Sequence, residues 1–134
     1  MLKLKRGIKM KTVGENRLSV YNLLYTYPLY EYINQDKEIN VLVLGNSWVA
    51  SEVFKAVFWC GQYPDIKLNI TVAAEDKEEY KSSLLTHLPG LMDFADFDGI
   101  KTSKYHYANI CIKSVSFENI LNSGIDENIY SEDC

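Results

Sequence analysis

The residues whose types and spacing could do chemistry are Gly45-Asn46-Ser47-Trp48-Val49-Ala50. They fit the phosphate-cradling pattern G-x-G-x-x-G/A, with Ser47 in the middle glycine position. Gly45 would make the sharp exit from a strand, and Ala50 would let the following helix lie close to the sheet. Backbone N–H groups from Asn46 to Val49 could then hold a phosphate at a helix N-terminus. Ser47 puts a Cβ where a pyrophosphate needs bare backbone, although its hydroxyl can donate a hydrogen bond in return. Glu75 and Asp76 follow 30 and 31 positions after Gly45, and an acid at the tip of the second strand is where a ribose is received. The same two residues also suit the start of a helix, where carboxylates favour the dipole. A different chemistry reads Gly45-Asn46-Ser47-Trp48-Val49 as a nucleophile turn of the G-x-S-x-G kind. Ser47 would then need a histidine base within hydrogen-bond reach, and the candidates are His87 and His106.

The elements that must position these residues run outward from the turn. Val41-Leu42-Val43-Leu44 is an unbroken apolar run closed by Gly45, the form of a strand buried on both faces in a parallel sheet. From Trp48 the period becomes helical, with Val49, Val53, Val57 and Cys60 recurring on one side. Gly61 is placed to end that helix in a left-handed conformation. Leu68 to Ala74 reads as a second strand, Lys77 to Thr86 as a helix stopped by Pro89-Gly90, and Lys104 to Val115 as a third strand. Leu91 to Gly99 alternates Asp with Phe and reads as a loop or short helix. Glu118 to Ser123 reads as a short helix closed by Gly124. Before all of this, Glu15 to Tyr25 is helical, and Pro28 breaks it or opens a second helix. Tyr21, Tyr25, Tyr27, Tyr30 and Tyr32 are expected to pack over the outer side of the 48–60 helix.

Composition narrows the class. The chain has 134 residues and a formal net charge of −4, enough for one domain with a core of its own. Lys3, Lys5, Arg6, Lys9, Lys11 and Arg17 stand against Glu15 alone in the first 17 residues, so the remainder is distinctly acidic and argues against nucleic-acid binding. Residues 1–14 read as a flexible arm or irregular edge segment. No apolar run approaches a membrane span. Cys60, Cys111 and Cys134 are odd in number and lack C-x-x-C spacing, which favours neither a zinc site nor a disulfide framework. The expectation is a cytoplasmic protein with no catalytic residues and no metal ligands.

Residues 39–127 resemble the NAD-binding Rossmann domain of the TrkA-N type, which regulates conductance in potassium-transport proteins. The likeness rests on Val41 to Ala50, on Val72-Ala73-Ala74-Glu75-Asp76, and on Asn119-Ile120-Leu121-Asn122-Ser123-Gly124-Ile125, similar to the family's Leu-x-x-x-Gly-Ile. It departs at Ser47 and at Lys113-Ser114, where the family carries Gly-Asp. The Gly45-Asn46-Ser47 block is also similar to the Gly-Asp-Ser of SGNH-type hydrolases. The first resemblance implies an α/β, partial Rossmann-like three-layer fold, with three parallel strands in order 3-2-1. Residues 1–38 would be a basic arm and Tyr-rich helical extension. Residues 39–134 would be the N-terminal half of a nucleotide-binding domain, a fragment of a longer chain. It implies NAD(H) or NADP(H) as ligand, held by Gly45, Asn46, Ser47, Trp48, Val49, Ala50, Glu75 and Asp76. A second copy or a missing C-terminal domain would be its partner. The alternatives are a serine hydrolase with Ser47 as nucleophile, or a degenerate Rossmann interaction module.

Overall fold

The computed structural model describes residues 8–11, 17–45, 48–101, 103–116 and 118. Strand β1 (Ile8–Lys11) is followed by helix α1 (Arg17–Thr26), a 3-10 turn (Leu29–Tyr32) and strand β2 (Glu38–Leu44). Helix α2 (Trp48–Cys60), strand β3 (Lys67–Ala74) and helix α3 (Lys77–His87) come next. The short helix α4 (Leu91–Phe94) and the strands β4 (Ala95–Phe97) and β5 (Ala108–Ser114) complete the order. The fold is α/β. All strand pairs are parallel, in the order β1-β2-β3-β5-β4.

The three strands expected from the sequence lie side by side, but in a sheet of five among the described residues rather than three. The two additions sit at the margins. Ile8–Lys11 pairs with Val41–Leu44 as a regular edge strand, where a flexible arm or irregular edge segment was expected. Ala95–Phe97 pairs with Ala108–Ile110 out of a segment too short to display a period. The segment before residue 39 therefore shares the sheet and, through Val20, Leu24 and Leu29, the same core.

Alternation explains the layers. Ile39, Val41 and Val43 of β2, Leu68, Ile70, Val72 and Ala74 of β3, and Ala108, Ile110 and Ile112 of β5 point to one face. They pack in one cluster with Val53, Phe54, Val57 and Phe58 of α2 and Tyr80 and Leu84 of α3. Because β1, β2 and β3 advance in one direction across the sheet, right-handed crossovers put α1 and α2 on the same face. Among the described residues every helix contributes to that one cluster, so they show two layers, not the three expected.

The opposite face is built differently. Leu42, Ala73, Thr71 and Cys111 are buried there, and one row is polar. Asn40, Asn69 and Asn109 stand in register on β2, β3 and β5. Asn69 Nδ2 donates to Asn40 Oδ1 (2.9 Å) and to Glu38 Oε2 (3.2 Å), and Asn109 Nδ2 donates to Asn69 Oδ1 (2.9 Å). Asp96 of β4 occupies the next place in the row.

Several local expectations are corrected. Gly61 is not left-handed; positive φ occurs at Gly45 and Gly99 among the described glycines. Gly61 is needed for space instead, since a Cβ there would stand 2.8 Å from the Val57 carbonyl oxygen and 2.9 Å from Leu68 Cδ1. Cys60 is exposed rather than core, and is a free thiol, whereas Cys111 is disulfide-bonded against the sequence reading. Of the five N-terminal tyrosines only Tyr32 packs on the core. Tyr21, Tyr27 and Tyr30 are exposed, and Tyr25 is 87% exposed, because Val20, Leu24 and Leu29 already fill the space beside α2. The short helix expected at 118–123 lies outside the described residues, Glu118 excepted.

Candidate functional site

The carboxyl ends of β2, β3 and β5 form one rim. Leu44 is opposite Ala73, Ala73 opposite Lys113, and Ala74 opposite Ser114. Gly45 extends the ladder by one bond, its N–H donating to the Ala73 carbonyl at 3.1 Å. It does so at φ 122°, a region that only glycine enters without strain. Three residues later α2 begins, and Ala50 in its first turn is fully buried. The small residue at that position lets the helix approach the sheet, as the sequence suggested. Trp48 and Val49 belong to α2 by their backbone. Asn46 and Ser47 lie outside the described residues, so their part in the site stays with the sequence.

Glu75 follows directly on β3 and is exposed. It falls on the strand next to Gly45, about 5 Å across the sheet, so the two expected contributors share the rim. Asp76 has a structural duty. Its carboxylate accepts the Glu79 N–H at 3.1 Å and caps α3, while Ser114 Oγ accepts the Lys77 N–H at 3.2 Å. Lys113 of β5 stands at this rim, as does Lys77, which is held by Asp98 Oδ2 at 3.2 Å.

The histidines are elsewhere. His87 closes α3, about 15 Å along the helix from its rim end, and its Nδ1 lies 2.8 Å from the Ser83 carbonyl oxygen. His106 precedes the amino end of β5, beside β4 at the far edge. Three strand spacings, about 14 Å, and the length of the sheet separate it from Gly45. The geometry thus brings neither histidine to the turn that carries Ser47. Sequence reasoning also missed the partner of His106. Asp96, only 5% exposed, receives His106 Nδ1 at 2.8 Å, and the signal was the Asp-Phe alternation of residues 93–98.

Among the described residues no group of three or more histidine, cysteine or acidic side chains could hold a metal. No described helix is long and apolar enough to cross a membrane. No family model matches this chain, nor does any curated protein or solved structure. The parallel α/β sheet and its rim therefore stand on this chain's own geometry.

Proposed function

We propose that the rim around Gly45 binds a phosphate-bearing nucleotide of the NAD(H) type and holds it without turning it over, as in the TrkA-N-like domains the sequence resembles. The observation that carries this reading is the left-handed Gly45 between a strand buried on both faces and a helix that starts three residues on. Open parallel sheets take ligands outside the carboxyl ends of their strands, and a strand-to-helix turn offers backbone N–H groups to phosphate. Glu75 is the acid free of capping duty and would meet the ribose.

Calorimetric titration with NAD, NADH and ATP tests it. Saturable heat with one of them, weakened at least about tenfold by Glu75→Ala, supports the reading. No heat with any of the three sinks it. The second reading, an interaction module, is favoured by one finding: Tyr25, Tyr30 and Trp59 are more than half exposed on and beside α1 and α2, and large aromatics anchor interfaces. Sedimentation of the wild type and Tyr25→Ser decides whether a second copy uses that surface. A dimer lost on substitution supports it, and a monomer in both removes self-association.

A further inference from the structure

The strongest feature outside the rim is at the opposite end of the sheet. Asp96 is buried on β4, on the face that none of the described helices covers, at the end of the asparagine row. Its Oδ1 accepts the Ser103 N–H at 2.9 Å and its Oδ2 lies 2.8 Å from His106 Nδ1. A carboxylate accepts and does not donate, so in the neutral imidazole the proton between them sits on Nδ1 and Nε2 carries the lone pair. The imidazole is half exposed, at 50%, and its outward nitrogen has no partner among the described residues.

Three further observations surround this pair. His106 adopts φ 47°, in the left-handed region, and strain of this kind persists where surroundings enforce it. The enforcing contacts are backbone bonds from Lys104 and Tyr105 to the Asp93 carbonyl and from Tyr107 to the Phe94 carbonyl. Tyr105 and Tyr107 both stack on Phe94, with ring centroids 5.2 and 5.3 Å away, making an aromatic wall from the two residues that flank the histidine in the chain. Ser103 Oγ is buried and has no hydrogen-bond partner among the described residues, an unusual state for a buried polar atom.

We propose that Asp96 and His106 form a proton-accepting dyad for a small ligand with a planar ring, seated against Tyr105, Phe94 and Tyr107. Its simplest activity is water activation against an activated aromatic ester. His106 Nε2 takes a proton from water, and the water oxygen bonds to the ester carbonyl carbon. The adduct collapses by breaking the carbon–oxygen bond to the leaving phenolate. The phenolate leaves with the electron pair, and the proton on Nε2 passes to it or to solvent. Asp96 touches no substrate in this step. It is the positioning residue that fixes the tautomer and stabilises the imidazolium.

The molecule contains its own control. His87 also directs Nδ1 at an oxygen, the neutral Ser83 carbonyl, and has neither a buried carboxylate nor the aromatic wall. With p-nitrophenyl acetate as probe, His106→Gln should cut turnover at least about tenfold, while His87→Gln leaves it within about twofold of wild type. Nitrogen-15 spectra of the wild-type histidines should show His106 protonated at Nδ1. Asp96→Asn should move that proton to Nε2 with the Phe94 and Tyr107 ring signals unchanged. Equal losses from the two histidine variants, or no loss from His106→Gln, would overturn the proposal. So would a wild-type spectrum with His106 protonated at Nε2, a measurement that depends on no variant folding.

Discussion

Tyr80 shows how one atom can set a stability profile. Its ring is in the core, and its hydroxyl is buried without a hydrogen-bond partner among the described residues. Burial pushes the phenol well above the ordinary tyrosine range. Tyr80→Phe removes the orphaned group, and the expected gain is about 1 kcal/mol, read as a rise of about 3–4 °C in Tm. The sign with pH follows from the raised value. The folded state prefers the protonated phenol, so its contribution is complete below about pH 10 and declines as pH rises further. Tyr80→Phe should lose less stability between pH 9 and 11, as urea titrations at both ends would show. The two special glycines separate by mechanism. Gly45→Ala strains a backbone at φ 122° and should cost about 1–3 kcal/mol. Gly61→Ala instead drives a methyl into the Val57 carbonyl and Leu68, at a similar cost of about 1–3 kcal/mol. Denaturation of each variant, with a Leu68→Ala background for the second, distinguishes them: only the Gly61 penalty should shrink.

At the scale of elements, what could be read in advance was what one strand or helix displays along its own length. β2 announced itself because Leu42 is buried as completely as Val41 and Val43, so both faces demand apolar residues. α2, β3 and α3 were legible by their periods. The margins were not, because β1 mixes Ile8 and Met10 with lysines and β4 has three residues. Tyr105 and Tyr107 looked like inward strand residues, yet the left-handed His106 keeps the chain out of the sheet until Ala108. The rim's Gly45 and Glu75 were visible as motif positions. The Asp96–His106 pair was not, because it depends on β4 lying beside β5. Phe54 tests the element that binds the layers. It is fully buried between α2 and the sheet, and Phe54→Ala should cost about 3–5 kcal/mol in urea unfolding.

For the whole molecule, the two sheet faces divide the labour. One carries the described helices and the main apolar cluster; the other buries Leu42 and Ala73 and holds the amide row and the Asp96–His106 pair, with the Gly45 rim at the far end. Ligand at one end and proton transfer at the other would therefore be chemically independent, and variants at the two should combine additively. The amide row has a consequence for assembly. Sliding β3 by two residues past its neighbours would keep every side chain on its proper face. It would also trade valines for isoleucines at little cost, so greasy contacts alone discriminate poorly against that misalignment. Asn40, Asn69 and Asn109 do discriminate, since Asn69 would then face Leu42 and Cys111 while Asn40 and Asn109 would face Lys67, and each would lose its amide partner. They act as the teeth of a key, admitting a single alignment of the central strands.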